Sequence, residues 1–342
     1  MKVKAFTMLG VFMSDIIWII TGKCSLSCIH CYAAKFRGAD ELSTQECLRI
    51  IGEAAELGVA HIGFSGGEPF LRKDFLGLLK ETADHGIYAT VVTSGIAMSD
   101  SISSRLARLE AHVYLSMDGV REEHEAIRGR GSWKYVEEAA RSMIKHGVEF
   151  STVTLLTPDT PKSIGRVFEL ADSIGASFLS FIPLMPSGRG AKLRQLTADR
   201  VYEVITEVDK AVIETSMPAS LWCMPFAASI AHHTASYSCR VASVIDIGVS
   251  GEILLCDVLD YRLTSIRERS LREAWEEAES HELSRRVANP MLREPCLNCN
   301  TREICLGGCY ARSLKAWGTF DGPDPLCPLA SRTLPETRRA AV

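Results

Sequence analysis

The sequence has no apolar run of membrane-spanning length, no strongly basic stretch, no internal repeat and no low-complexity tract. A transmembrane helix requires roughly 18–20 apolar residues in succession. The apolar N-terminal stretch, which follows Lys2 and Lys4, is interrupted by Ser14 and Asp15, so it resembles a signal peptide only superficially. A net charge of −4 excludes the broad basic surface that binds nucleic acid. We therefore expect neither a membrane nor a nucleic acid as a partner.

Cysteine, in contrast, is abundant. The 342 residues suffice for one large domain and a smaller one, and 46% hydrophobic with 23% charged residues is ordinary for a globular protein. At this length, twelve cysteines indicate metal or redox chemistry rather than a secreted disulfide framework. We predict a cytoplasmic, reduced and oxygen-sensitive protein.

Three of the cysteines stand together in TGKCSLSCIHCYAA, residues 21–34, directly after the apolar run 16–20. Cys24, Cys28 and Cys31 have C-x3-C-x2-C spacing, so they can hold three irons of a [4Fe–4S] cluster and leave the fourth iron open to a non-protein ligand. A structural zinc site is the alternative, but zinc requires four ligands and no fourth lies nearby. With His30 and Tyr32 around its last cysteine, the loop resembles that of the radical S-adenosylmethionine (SAM) enzymes. The resemblance implies that SAM binds the open iron, with His30 and Tyr32 beside the cofactor.

β-Rich runs alternate with helical patterns from residue 16 to about residue 215. Strands are predicted at 16–20, 59–65, 87–94, 111–118, 148–156 and 176–184. Helices are predicted from Ser43, where STQE forms a capping box, at about 72–85, 133–146 and 196–215, and in a segment that ends at Gly175. Six βα units in series predict an α/β fold with a parallel sheet. Six units rather than eight indicate a partial (β/α)6 TIM-like barrel, in which the chemistry collects at the C-terminal ends of the strands.

Polar motifs occur at those strand ends. Gly66, Gly67 and Glu68 follow the second strand, where glycine allows close backbone approach and a carboxylate accepts a bond from an ammonium group. Alone, GGEP is only a turn, but the resemblance implies that it binds the methionyl amino group of SAM.

The same resemblance implies further contacts with SAM at later strand ends. Ser94 ends the third strand, Ser116 and Asp118 would contact ribose and methionine, and the backbone near Leu184 would flank adenine. Arg128 or Arg130 could pair with the carboxylate of SAM. Ordinary solvated turns are the alternative, as is an ordinary loop arginine for Arg189 in PSGRG.

After about residue 216 the alternation stops and cysteines accumulate. We divide the chain into a lead-in (1–15), the barrel (16–215), a smaller C-terminal domain (216–330) and a tail (331–342). The pattern Cys239-x11-Gly251-x4-Cys256, Cys296-x2-Cys299-x5-Cys305-x3-Cys309 and Cys327 resembles the SPASM extension. It implies two auxiliary [4Fe–4S] clusters, one held by Cys239, Cys256 and Cys309, the other by Cys296, Cys299, Cys305 and Cys327.

Two positions in this region leave alternatives open. Sulfatase-maturing relatives have a further cysteine a few residues before the position of Cys239, and this chain does not. The fourth ligand of the first auxiliary cluster is therefore Cys223, His232, His233 or none. Asp257 follows Cys256, and the resemblance implies that it takes the substrate proton, although a helix-capping or surface aspartate is equally open.

The resemblance implies a radical SAM oxidoreductase with three [4Fe–4S] clusters and SAM, which modifies a peptide by hydrogen abstraction. PSGRG and DGPDPLC resemble segments of the mycofactocin maturase family. Oxidation or decarboxylation of tetrapyrrole side chains in heme biosynthesis is the alternative, and a plain iron–sulfur electron carrier would need neither GGEP nor a barrel. An electron donor such as flavodoxin or ferredoxin is expected. Only 23 residues precede Cys24, so we expect no N-terminal peptide-recognition domain, and peptide recognition could require a separate protein.

Overall fold

The computed structural model describes residues 15–240 and 244–331, so the predicted lead-in and tail lie almost entirely outside the described residues. The strands are β1 (Asp15–Thr21), β2 (His61–Gly66), β3 (Tyr88–Thr93), β4 (His112–Ser116), β5 (Phe150–Leu156), β6 (Leu179–Pro183), β7 (Ala219–Leu221), β8 (Ala235–Ser236), β9 (Val244–Ile247), β10 (Glu252–Leu254) and β11 (Arg262–Ser265). The helices are α1 (Thr44–Glu56), α2 (Phe75–Asp84), α3 (Asp100–Leu109), α4 (Arg121–Arg128), α5 (Trp133–Lys145), α6 (Ile164–Ser173), α7 (Ala198–Thr215), α8 (Leu271–Ser280), α9 (Glu282–Ala288), α10 (Arg302–Cys305), α11 (Tyr310–Trp317) and α12 (Pro328–Ser331).

All the described strands belong to one mixed sheet with the order β11-β10-β9-β1-β2-β3-β4-β5-β6-β7-β8. The strands from β9 through β1 to β8 run parallel, whereas β10 runs antiparallel to both of its neighbours, β9 and β11. Within the described residues the sheet is not closed, because β11 and β8 are its edges. The predicted α/β class is confirmed, and each of the six predicted strands is found within three residues of its predicted ends.

One face of the sheet packs against helices. Trp18, Phe64, Val91, Val113 and Phe150 lie side by side in register on β1 to β5, and all are buried in the main core with apolar residues of α1, α2 and α5. Because side chains alternate along a strand, the residues between them face the opposite side. The two faces are therefore set by the apolar alternation of the sequence.

The first helix shows how local sequence sets an element boundary. The Ser43 hydroxyl accepts a bond from the Glu46 N–H group at 3.3 Å, and the Glu46 carboxylate accepts one from the Ser43 N–H group at 2.7 Å. These reciprocal bonds satisfy N–H groups that a helix N-terminus otherwise leaves unpaired. The predicted capping box is confirmed, and α1 begins at Thr44.

The sheet extends beyond what the sequence predicted. Helices α3 and α4 were not predicted, although the Ser99 hydroxyl caps α3 by accepting a bond from the Ile102 N–H group. Strands β7 to β11 are only two to four residues long, which is too short for a periodic pattern to reveal them. β9 pairs with β1 in parallel, so the chain beyond residue 216 adds strands to both edges of the sheet. None of the described helices is long and apolar enough to cross a membrane.

Candidate functional site

The cysteine loop leaves the C-terminal end of β1 and ends in a short 3-10 helix, Tyr32–Phe36. Cys28 is buried and Cys24 and Cys31 are partly buried, and burial raises the pKa of the Cys24 and Cys28 thiols. A zinc ion lies about 2.3 Å from each sulfur ligand, so its ligand atoms are about 4 Å apart. Among the described residues, the three thiols do not all lie within 4.8 Å of one another, so they do not form a ready three-sulfur site for a single ion.

The GGEP segment packs against the start of this loop. The Gly67 N–H group donates to the Thr21 carbonyl and the Glu68 N–H group to the Lys23 carbonyl, both at 2.7 Å. A Cβ atom on Gly66 would lie 2.4 Å from the Thr21 carbonyl oxygen, and one on Gly67 would lie 2.2 Å from that of Lys23. Both positions therefore require glycine, because the two strand-end loops touch through their backbones.

Glu68 is a fully buried carboxylate at this junction. It accepts bonds from the Thr93 hydroxyl at 2.7 Å and from the N–H group and hydroxyl of Ser94 at 2.9 and 2.6 Å. Burial raises the pKa of Glu68, although these donors oppose the shift. Ser94, which was predicted as a cofactor contact, thus directs the Glu68 carboxylate. A buried carboxylate that lacks a basic partner is a suitable acceptor for a ligand ammonium group.

The end of β4 carries a buried ion pair. Asp118 is fully buried and accepts a bond from Arg128 Nε at 2.5 Å and one from the Leu155 N–H group at 2.9 Å. Burial alone would raise the pKa of Asp118, but the charge and hydrogen bond of Arg128, together with the nearby His30 and His124, outweigh it and lower the pKa to about 2. Arg130 is exposed in the turn after α4. Of the two predicted arginines, Arg128 is therefore the one that lies at the strand ends.

The remaining predicted SAM contacts surround this pair. Burial and the charge of Arg128 lower the pKa of His30 to about 4, so its imidazole is neutral near pH 7. Ser116 is buried at the end of β4, and the Leu184 N–H group after β6 donates to the Leu156 carbonyl at 2.9 Å. All of these residues lie at C-terminal ends of neighbouring parallel strands or on the loops that follow them.

Cys223 lies with the cysteines that were assigned to the first auxiliary cluster. Its pKa is raised well above the ordinary value by burial, and then by the nearby thiols of Cys239 and Cys309. The pKa of Cys256 is likewise raised by burial, by Asp257 and by Cys309. The backbone of Cys223 has a positive φ of 56°, and its carbonyl accepts a bond from Arg312.

The two histidines that could have been the fourth ligand point elsewhere. His232 and His233 are exposed, and their N–H groups donate to the Asp209 carboxylate at 3.2 and 2.7 Å. The His233 ring also contacts Asp209 at 3.2 Å. The structure thus brings Cys223, rather than either histidine, to the first auxiliary set.

The second auxiliary set lies in one pocket. Its lining includes Cys296, Cys299, Cys305 and Cys327, together with apolar atoms of Phe226. Burial raises the pKa of Cys296 and Cys305 to about 12 and that of Cys327 to about 11. Thiols in such a setting remain protonated near pH 7 unless a metal replaces the proton.

A buried ion pair connects the two auxiliary sets. Asp324, in the DGPDPLC segment, accepts bonds from Arg312 at 2.6 and 3.0 Å and from the Cys309 N–H group at 2.9 Å. Both side chains are almost completely buried. The sequence singled out DGPDPLC as a motif without assigning Asp324 this role.

Asp257 lies between the cysteine loop and the first auxiliary set. Its carboxylate lies beside the Tyr32 hydroxyl, and its N–H group donates to Asp246 Oδ2 at 2.9 Å. Burial raises the pKa of Asp257, and burial together with the charge of Asp257 raises that of Asp246 well above the ordinary value. Asp246 was not predicted as a site residue. The only sign of it in the sequence is that an acidic residue interrupts the short apolar run VIDI.

Three relatives of known activity match most of the chain. The PqqA peptide cyclase of Granulibacter bethesdensis is 29% identical over 329 residues, covering 91% of this chain and 86% of the relative. The mycofactocin maturase MftC of Mycobacterium ulcerans is 28% identical, with the same coverages. An AdoMet-dependent heme synthase of Methanosarcina barkeri is 27% identical, covering 91% of this chain and 95% of the relative.

Solved structures share the fold. Native anSMEcpe with bound AdoMet has a TM-score of 0.74 at 19% identity, covering 92% of this chain and 93% of that chain. Streptococcus suis SuiB bound to the precursor peptide SuiA has a TM-score of 0.75 at 18% identity, covering 92% and 75%. Residues 18–171 match the family model described as the Radical SAM superfamily. The chain therefore carries a radical SAM domain, and it is an enzyme.

Proposed function

We propose that this enzyme oxidatively modifies a peptide, in post-translational maturation or in the making of a peptide-derived cofactor. Two of the relatives are a PqqA peptide cyclase and a mycofactocin maturase, and SuiB was solved with a precursor peptide bound. The observation that carries the proposal is the position of Asp257, which joins the Tyr32 hydroxyl of the cysteine loop to the first auxiliary set. A base at this junction suits a reaction in which the substrate loses a hydrogen atom, a proton and an electron.

Three groups of residues fit three [4Fe–4S] clusters. The loop cysteines would bind the SAM cluster, and residues 216–330 would form the auxiliary-cluster domain. Its first cluster would be held by Cys223, Cys239, Cys256 and Cys309, and its second by Cys296, Cys299, Cys305 and Cys327. When bound, the SAM cluster would supply the electron for reductive cleavage of SAM, and the auxiliary clusters would accept the electron left on the substrate.

The protein residues then have distinct roles. Glu68, held by Thr93 and Ser94, would accept a hydrogen bond from the SAM ammonium group. Asp257 would take the substrate proton, and Tyr32 would hold its carboxylate in place. We propose a flavodoxin or ferredoxin as the electron donor and a separate protein for peptide recognition.

The test is co-expression of the enzyme with short peptides encoded beside its gene, followed by mass spectrometry. We expect a peptide that loses hydrogen only when active enzyme and SAM are present.

A second candidate function is the oxidation or decarboxylation of tetrapyrrole side chains, which the similarity to a heme synthase favours. Conversion of an iron coproporphyrin by the reconstituted enzyme, with no peptide modified, would establish that alternative.

A further inference from the structure

Arg189, in the loop after β6, has a guanidinium edge without a partner. Its Nε and Nη2 atoms are buried and make no hydrogen bond within the described part of the chain. The backbone beneath it is fixed, because the Arg189 N–H group donates to the Cys31 carbonyl at 3.1 Å. The Arg189 side chain therefore starts from a fixed backbone position beside Cys31, the last cysteine of the loop.

Flanking glycines bring this loop into contact with the cysteine loop. A Cβ atom on Gly188 would lie 2.6 Å from the Cys31 carbonyl oxygen, and one on Gly190 would lie 3.0 Å from that of His30. Only glycine permits so close an approach, and Gly188 also has a positive φ of 54°. The GRG sequence thus places a charged side chain at the strand ends where SAM is expected.

The two unpaired nitrogen atoms of Arg189, Nε and Nη2, have a specific geometry. Nε–H and Nη2–H point to the same side of a guanidinium group and together match the two oxygens of a carboxylate. Buried donors of a charged group are costly to leave unpaired, so native structures rarely do so without a ligand, water or ion. The vacant edge is therefore suited to a carboxylate.

No carboxylate of the described chain fills this role. Asp118, which lies near His30, is engaged by Arg128 and by the Leu155 N–H group. His30 is adjacent to this loop, because a Cβ atom on Gly190 would lie 3.0 Å from the His30 carbonyl oxygen. His30 Nδ1 is also buried without a partner. Two unpaired polar groups thus lie close together in the same part of the site.

We propose that Arg189 binds a carboxylate of a ligand at the strand ends, either the methionyl carboxylate of SAM or a carboxylate of the second substrate. The proposal rests on the proposed function only in requiring that the enzyme binds SAM. Arg189, in the loop after β6, would then pair with a carboxylate of a ligand, whereas Arg128 pairs with Asp118 of the protein itself.

The test uses reconstituted holoenzyme kept free of oxygen, with the variants Arg189→Gln and Arg189→Lys. Arg194→Gln is the matched control, because Arg194 lies in the same loop but is exposed and pairs with Asp159 on the surface. Dissociation constants are measured by equilibrium dialysis for SAM and for decarboxylated SAM, which keeps the ammonium group but lacks the carboxylate. Iron content and melting temperature show whether each variant is folded and loaded.

If the carboxylate is that of SAM, Arg189→Gln weakens SAM binding by about ten- to a hundredfold and leaves decarboxylated SAM unchanged. Arg189→Lys, which keeps the charge without the fork, loses less. If the carboxylate is that of the substrate, SAM affinity is unchanged. With SAM saturating, acetyl-glycylglycine then protects the wild type against thermal unfolding more than its amide does, and Arg189→Gln abolishes that difference.

Two results overturn the proposal. One is that Arg189→Gln behaves like Arg194→Gln with every ligand. The other is that it loses cluster iron or shifts the cluster spectrum with no carboxylate-dependent change. A wild type that does not bind SAM at all would contradict the proposed function instead. Should Arg189→Gln fail to fold, the comparison of SAM with decarboxylated SAM in Arg189→Lys decides.

Discussion

Replacing Glu68 by Gln removes a buried negative charge at the end of β2 while keeping the shape of the side chain. The carboxylate is fully buried and receives three hydrogen bonds, from the Thr93 hydroxyl and from the N–H group and hydroxyl of Ser94. A glutamine can turn its oxygen to the two Ser94 donors and its amide nitrogen to the Thr93 hydroxyl. The exchange leaves at most the Thr93 hydroxyl hydrogen unpaired, a cost of about 1 kcal/mol.

The loss of SAM binding should be larger than this folding cost. A hydrogen bond to a charged group contributes roughly 1.5–3 kcal/mol, so losing the bond between carboxylate and ammonium should raise the dissociation constant of SAM about ten- to a hundredfold. Equilibrium dialysis on the reconstituted enzyme measures this change. Glu169→Gln is the control, because Glu169 is exposed and forms only a surface pair with Arg166. An unchanged dissociation constant for SAM in Glu68→Gln would refute the assignment of Glu68.

Glu68→Gln should also change how the stability of the protein depends on pH, in a direction that follows from the pKa shift of Glu68. Burial raises the pKa of Glu68 in the folded protein above its ordinary value of 4.5. Ionisation of such a group costs stability, and this cost grows as pH rises from the unfolded pKa towards the folded pKa. The melting temperature of Glu68→Gln minus that of wild type should therefore increase as pH rises above 4.5, the ordinary pKa of the carboxyl group. A constant or falling difference would contradict the inferred direction of the pKa shift.

The other predictions concern the clusters and the base. The loaded enzyme should contain about twelve irons per chain, and only about four would refute the auxiliary clusters. The triple alanine variant of the loop cysteines (Cys24, Cys28 and Cys31) should keep the auxiliary iron but make no 5′-deoxyadenosine, so retained cleavage of SAM would contradict the loop assignment. Cys223→Ser should lower the iron content towards about eight atoms per chain. Cys47→Ser, which changes a buried cysteine of α1, should leave the iron content unchanged. Equal iron contents in the two variants would show that Cys223 is not a cluster ligand. Asp257→Asn should still cleave SAM but form product about 10²–10⁴ times more slowly, and an unchanged product yield would exclude Asp257 as the base.

Much of the site could be predicted because it depends on local sequence and on one rule of topology. The loop cysteines and Glu68 are close in space because parallel neighbouring strands bring their C-terminal ends to one edge. The GGEP glycines could be singled out by their place after a strand, although the close approach that requires them is to Thr21 and Lys23 in another strand-end loop. The strand β1, the capping box and the alternation of β2 to β6 are equally local features.

The parts that were not predicted depend on long-range pairing. Asp246 becomes significant only because β9 lies beside β1, and a four-residue strand gives no periodic pattern from which that pairing could be read. Arg312 and Asp324 form an ion pair only after α11 and the DGPDPLC segment have packed together. The orientation of Arg189 depends on contact between two loops that are far apart in sequence.

The pairing of β9 with β1 also brings the C-terminal part of the chain next to the strand that carries the cysteine loop. Because the two strands are parallel neighbours, the chain after each of them leaves from the same edge of the sheet. After β1 it forms the cysteine loop, which ends at Tyr32, and after β9 it turns back through β10 to Cys256 and Asp257. Because β10 runs antiparallel to β9, strand order alone does not place Asp257 at that edge; the bond from its N–H group to Asp246 of β9 holds it beside Tyr32. A carboxylate at this position lies between the loop that would generate the radical and the cysteines that would accept its electron, and a substrate held there can lose its proton and its electron in one place.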